Sequence, residues 1–241
     1  MRVLRQQKPG TGRTTEDLLN SYPWFLSLPP ARRQWLYACI HERKLDAGEV
    51  LTREGRVIRD AYMVLDGLLT WSVIGAGGDQ VTLGTMLPGS WFGHATLLAQ
   101  VPQRGNIQAL RESRVACIPK DAFDWLFENS LQFNNALVRH AFARMQWFLG
   151  TLASRTLSSI EHQVARALAF MVDEQQNPRA ADSIPISQEE LAFLVGCSRQ
   201  RCNAALKRLR TGGLIEIRYG VIRVLDKSRL RLMASGEGTP D

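Results

Sequence analysis

Cysteine is scarce in this 241-residue chain, and the four present are scattered. Cys39, Cys117, Cys197 and Cys202 show no paired ligand spacing, which argues against a disulfide frame or an iron–sulfur cluster and suits a reducing cytoplasm. Histidine is equally sparse. His41, His94, His140 and His162 stand far apart with no His-x-His pair, so no metal site is expected. No Ser/His/Asp set and no paired carboxylates fall on recognisable catalytic elements, so no enzyme is expected. No apolar run approaches the length of a membrane span. Met1–Thr15 carries Arg2, Arg5, Lys8 and Arg13 with no apolar core behind them, so it reads as a disordered basic tail and not as a secretory signal. Carboxylates are in deficit: 23 Asp and Glu face 30 Lys and Arg, a net charge of +7. That balance favours a polyanionic partner without proving one.

What the chain does have is concentrated between Ile186 and Leu225. Ser187 followed by Glu190 is a capping-box pattern that opens a helix, with Leu191, Leu194 and Val195 as its apolar face. Gly196 ends it, since the turn there needs positive φ. Ser198 is the next N-cap, and Cys202, Ala205, Leu206 and Leu209 recur at helical spacing as the buried stripe of a second helix. Its other side carries Arg199, Gln200, Arg201, Asn203, Lys207, Arg208 and Arg210 with no carboxylate among them. Arg reads guanine, and Gln and Asn read adenine. A solvated basic helix is the bland alternative. Against it stand the Gly-containing turn between two close helices and the run after Thr211-Gly212-Gly213, in which Tyr219-Gly220 turns between two short strands like a wing.

The stretch from Ile186 to Leu225, with Val-Gly-Cys-Ser-Arg at 195–199 and Leu-Lys-Arg-Leu at 206–209, resembles the DNA-binding domain of the Crp–Fnr family of bacterial transcription regulators. The likeness extends over almost the whole chain. It implies an α+β architecture: an N-terminal antiparallel β-barrel or jelly roll of the cyclic-nucleotide-binding type, a long dimerisation helix and a C-terminal winged helix-turn-helix. On that resemblance Arg199, Gln200 and Asn203 are expected to read bases. Ser187, Gln188, Ser198, Arg201, Lys207 and Arg218 are expected to hold phosphates. The family often has Glu where this chain has Gln200 and Arg where it has Ala204, so the preferred half-site should differ from the best-known one.

The first half supports the same reading. Short alternating strands punctuated by Asp46-Ala47-Gly48, Asp66-Gly67, Gly75–Asp79 and Pro88-Gly89 argue a small antiparallel barrel or jelly roll. Helices are expected just after Thr15 and over Ala31–His41. Leu45–Glu49 and Tyr62–Gly67 resemble the cyclic-nucleotide-binding family. Members that bind cyclic AMP have a Gly-Glu pair, whose carboxylate accepts from the ribose, and an Arg that forks onto the cyclic phosphate. Here Gly93 is followed by His94. Counting back from Ile107 and Ala109, the Arg position falls on Gln103, with Arg104 one residue late. Adjacent strand residues face opposite ways, so Arg104 is expected to aim outward. Gly93, His94, Gln103 and Arg104 are the candidate effector pocket. The barrel is expected to persist with its cyclic AMP chemistry lost, so no cofactor is expected, although a cyclic nucleotide stays open. His94 as a pH sensor or as a haem or metal ligand carries little weight.

Between the halves, Asp121–Asn129 reads as a short helix and Asn134–Thr156 as a long one. Val138, Ala141, Met145, Phe148 and Leu152 form a heptad seam that argues a homodimer. Ser158 and Glu161 suggest a further capping box before a helix over Ile160–Val172, and Asp226–Met233 a last short helix. The division read from the sequence is 1–15 tail, 16–129 barrel, 130–157 dimerisation helix, 158–233 winged helix and 234–241 tail. The expected protein is a homodimeric cytoplasmic regulator. Its partners are a pseudo-palindromic DNA operator and, by the resemblance, RNA polymerase, with no membrane contact. Two alternatives stay open: a regulator gated by a cyclic nucleotide or other small ligand in the barrel, and a metabolite- or partner-binding module without DNA function.

Overall fold

The computed structural model describes residues 14–75, 77–157, 159–174 and 181–235. The basic tail expected at 1–15 therefore lies outside the described residues up to position 13, and the C-terminal tail from position 236. Compact units of the chain comprise residues 1–138 and 139–241, the division falling inside the long helix.

The first unit begins with three helices, α1 (Thr15–Leu19), α2 (Pro23–Leu26) and α3 (Pro30–Cys39). Thr14 and Asp17 close a reciprocal capping box on α1, and proline opens α2 and α3, where a missing N–H costs nothing. The helix expected to reach His41 stops at Cys39. Ile40 turns extended, and His41 already pairs with Cys117 as the first residue of β1 (His41–Leu45). Sheet pairing outweighed a helical continuation. The strands β2 (Val50–Thr52), β3 (Asp60–Asp66), β4 (Leu69–Ile74), β5 (Gln80–Met86) and β6 (Trp91–Phe92) follow, then α4 (His94–Ala99), β7 (Asn106–Ala109) and β8 (Ser113–Pro119). They form two four-stranded antiparallel sheets, ordered β1-β8-β3-β6 and β2-β7-β4-β5, which is a jelly roll rather than a closed barrel. At the Asp66-Gly67 turn, φ is +98° and a Cβ would sit 2.1 Å from Ser113 Oγ, so only glycine fits. Neither β6 nor α4 was expected from the sequence: the strand has two residues and the helix barely more than a turn.

Aromatic rings fill the inner space. Trp24 meets Trp91 at 5.3 Å and Phe133 at 4.8 Å, and Phe133 meets Phe123 at 5.6 Å, all edge-on. Such pairs contribute about 0.5–1.5 kcal/mol each beyond the area they bury. The Tyr22 hydroxyl donates to the Gly89 carbonyl at 2.8 Å, tying the helical entry to the roll. Two more helices follow, α5 (Lys120–Asn129) and α6 (Leu131–Leu157), the latter starting three residues before the expected Asn134. Ser130 Oγ accepts from Phe133 N–H at 3.2 Å and caps the earlier start.

In the second unit, α7 (Ile160–Met171) buries Val164, Ala165, Leu168 and Met171, the stripe expected from the sequence. Its cap is Ser159, which accepts from His162 N–H; the Ser158 of the expected capping box lies outside the described residues. Glu161 instead forms an ion pair with Arg208. A short strand β9 (Ser183–Ile184) precedes α8 (Gln188–Val195) and α9 (Arg199–Thr211). The wing is β10 (Ile215–Arg218) and β11 (Val221–Val224). It is three-stranded rather than two-stranded, because β9 pairs Ile184 with Ile222. Last comes α10 (Lys227–Ser235). Gly150 of α6 lies under Arg166 of α7: a Cβ there would be 1.7 Å from the guanidinium, which donates to the Trp147 and Ala234 carbonyls.

Candidate DNA-reading head and effector site

The helix-turn-helix is α8, the turn at Gly196-Cys197 and α9. Ser187 accepts from Glu190 N–H at 3.1 Å while the Glu190 carboxylate accepts from Ser187 N–H at 2.7 Å, closing the capping box read from the sequence. Gly196 takes φ +75° and ends α8. Ser198 Oγ accepts from Arg201 N–H at 3.3 Å and starts α9. Cys202, Ala205, Leu206 and Leu209 are buried. That burial turns Arg199, Gln200, Arg201, Lys207 and Arg210 outward, all exposed. The helix holds five cations and no carboxylate.

The expected contact residues do not present equally. Arg199, Gln200, Arg201, Ser198 and Lys207 are exposed, and Ser187 and Gln188 half-exposed. Asn203 is half-buried, and its Oδ1 is shut from solvent with no hydrogen-bond partner among the described residues. Arg218 is exposed on the wing but paired with Glu216 at 3.0 Å. Two features escaped the sequence reading. Arg208 is held by Glu161 of α7, a pairing 47 residues apart that no local pattern announces. Tyr219, read only as part of a turn, is 93% exposed at the wing tip.

In the roll, Gly93 takes φ +86° as N-cap of α4, and an added Cβ would press on Asp60 O, Tyr62 and Ile58 at 3.0–3.2 Å. His94 is buried. Gln103 is buried, accepting from Thr96 Oγ1 at 3.2 Å and donating to the Arg104 carbonyl at 3.0 Å. Its own backbone is clamped by Gly55 N–H and Arg56 O, both at 2.8 Å. Arg104 is exposed, while its carbonyl accepts from the Trp71 indole. The roll thus buries a neutral amide and leaves the neighbouring guanidinium in solvent. These residues do not fit a cyclic phosphate, which needs a buried fork of donors bearing positive charge. A cleft of about 800 Å³ opens elsewhere on this unit, lined by Val57, Ile58, Thr96, Val101 and Lys120 among others; Gly93, His94, Gln103 and Arg104 do not line it.

Along α6 the sequence seam is shifted. Among the described residues of α6, Leu131, Val138, Phe142, Met145, Leu149 and Leu152 are the exposed large apolar side chains, the last five spaced four, three, four and three. Ala141 is also exposed, but Phe148 is half-buried with its ring against Trp147 at 5.1 Å. Phe142 and Leu149 thus stand where the sequence reading placed Ala141 and Phe148. Among the described residues no group of His, Cys, Asp and Glu is placed to hold a metal ion, and no helix is long and apolar enough to cross a membrane.

Two family models match the chain: the cyclic nucleotide-binding domain over residues 42–130 and the Crp-like helix-turn-helix domain over residues 162–233. The chain belongs to the Crp–Fnr family of transcription regulators. This Crp–Fnr regulator is 25% identical over 183 residues to the transcriptional regulator SdrP of Thermus thermophilus, covering 74% of the chain and 85% of the relative. It is 23% identical over 186 residues to the CRP-like cAMP-activated global transcriptional regulator of Mycobacterium tuberculosis, covering 76% and 83%. Its fold matches the structure of FixK2 from Bradyrhizobium japonicum with a TM-score of 0.64 at 17% identity, covering 80% of this chain and 96% of that one. The protein is a DNA-binding transcription regulator of the Crp–Fnr type.

Proposed function

We propose that this regulator works as a cytoplasmic homodimer that reads a two-fold-related operator through α9 and is not gated by cyclic AMP. The observation that carries the reading is α9 itself: a buried stripe fixes its rotation, and the opposite side exposes five cations without one carboxylate. Arg199 and Gln200, in the first turn, reach base edges; Asn203, deeper in the fold, does so less. Ser187, Gln188, Ser198, Arg201, Lys207 and Arg218 hold phosphates, whose contacts set affinity and its salt dependence. Pairing of two α6 helices over Val138, Phe142, Met145, Leu149 and Leu152 supplies the two-fold, because half-sites one helical turn apart need a symmetric reader. The resemblance to the family supports contact with RNA polymerase as a further part of this reading.

The loss of cyclic AMP control rests on Gln103 being buried where a phosphate-holding Arg is needed, with Arg104 in solvent. The test is DNA affinity for a selected site at one fixed salt concentration, with and without cyclic AMP. Specific binding that the nucleotide leaves unchanged is expected. A strong rise with cyclic AMP overturns the reading and puts the Arg104 guanidinium on the phosphate.

A further inference from the structure

Cys197 and Cys202 occupy the two positions that flank the cap of α9. With Ser198 as N-cap, Cys197 precedes the cap and Cys202 is the fourth helical residue, the pair that normally forms a hydrophobic staple. Here both staple positions are thiols, and each lies close enough to influence the titration of the other. Cys202 is fully buried, whereas Cys197 is partly exposed in the turn. Cys197 also sits beside the Arg201 guanidinium and the N-terminus of α9, both of which favour a thiolate. Between the two sulfurs in sequence lie Ser198, Arg199, Gln200 and Arg201. Every residue of that short loop is one assigned above to bases or phosphates.

We propose that Cys197 and Cys202 are an oxidation site in the reading head, and that the disulfide they form on exposure to a hydroperoxide lowers DNA affinity. The Cys197 thiolate attacks one peroxide oxygen. The O–O bond breaks, a sulfenic acid forms on Cys197 and, with one proton taken up, water leaves. The Cys202 sulfur then attacks the sulfenic sulfur, the S–S bond forms and hydroxide leaves, taking the Cys202 proton to become a second water. Two thiols lose two electrons and two protons, and one hydrogen peroxide becomes two waters. An S–S bond is about 2.05 Å long, far shorter than any non-bonded contact between two sulfurs. Closure therefore pulls the turn toward the helix and displaces Arg199 and Gln200 from the rotation that the buried stripe sets. Burial holds the Cys197 thiol above its ordinary range and pushes Cys202 up to about 12, so closure is slow at neutral pH and quickens as pH rises.

This rests on α9 being the DNA-reading helix. The experiment treats the full-length protein with hydrogen peroxide at pH 8, maps disulfides by peptide mass spectrometry, and measures affinity for the selected operator before treatment, after it, and after dithiothreitol. A Cys197–Cys202 link with about tenfold or greater loss of affinity is expected, the cost of one base-reading contact, reversed by the reductant. Cys202→Val keeps the apolar staple and is expected to bind like the wild type and to ignore peroxide. Cys197→Ser provides the same check from the other side if Cys202→Val folds poorly. Oxidised protein without that link, or linked protein with unchanged affinity, overturns the proposal. Reduced protein without specific DNA binding overturns instead the reading of α9.

Discussion

The two longest helices among the described residues contain no carboxylate, and they use that absence in opposite ways. In α9, thirteen residues long, the missing acids leave five cations exposed. The surface is built for a polyanion, and an acid there would repel phosphate. In α6, twenty-seven residues long, the exposed line is apolar instead: Val138, Phe142, Met145, Leu149 and Leu152. With no acid on α6, no Glu–Lys pairs can join two copies across it in the way coiled coils commonly use to choose partners. The proposed association of α6 would then come from apolar burial, and the proposed recognition by α9 from charge and hydrogen bonds. The same compositional gap thus marks two surfaces whose energetics differ in salt dependence: screening weakens the second and hardly touches the first.

The largest break in this contrast is expected from Leu149→Glu. Burying a Leu contributes about 1.5–3 kcal/mol per copy, and a carboxylate in its place adds a desolvation cost. The dimer should dissociate at micromolar concentration in analytical ultracentrifugation, and operator affinity should fall with it; an intact dimer would remove α6 from the interface. Arg199→Ala comes next, at about 1–3 kcal/mol of operator affinity with relaxed preference at one base position. A selection experiment that returns an unchanged sequence profile would remove Arg199 from base reading. Gly150→Ala tests the packing of α6 rather than its exposed line. The added Cβ displaces the Arg166 guanidinium and its bonds to Trp147 and Ala234, at about 1–3 kcal/mol for the buried donors left unpaired. Thermal unfolding should show the loss, and an unaltered midpoint would mean that the guanidinium finds equal partners elsewhere. Lys207→Ala should weaken binding to all sequences alike and flatten the slope of affinity against salt by about one unit; a loss confined to one sequence would make it a base reader. The smallest effect is expected from Arg208→Ala. Its side chain is mostly exposed, and such ion pairs contribute about 0–1 kcal/mol, so unfolding in urea should shift only slightly.

The reading head was legible in the chain because its signals are local. Ser187 with Glu190, Gly196, Ser198 and the Cys202–Leu209 stripe each act within a few residues, and the structure keeps every one. The strands on either side of Asp66-Gly67 were legible for the same reason. The roll resisted where elements are short or where distant pairing decided: β6 and α4 carry too few residues for a period, and His41 left its helix to pair with Cys117. The α6 seam shows a third kind of limit. Its period was plain, but Ala141 and Phe148 fit that period as well as Phe142 and Leu149 do. Only the packing of Phe148 against Trp147 showed which of the two lines stays uncovered.

By itself, then, the sequence determined the family, the order of its parts and the rotation of α9, since capping and helical periodicity are written in neighbours. Tertiary structure alone decided that Gly55 and Arg56 clamp the Gln103 backbone, that Arg208 is tied to Glu161, and that Phe148 rather than Leu149 is the covered side chain of α6. These depend on how a loop is clamped between strands or how one helix crosses another, and such contacts are set by distances in space that spacing along a chain does not encode.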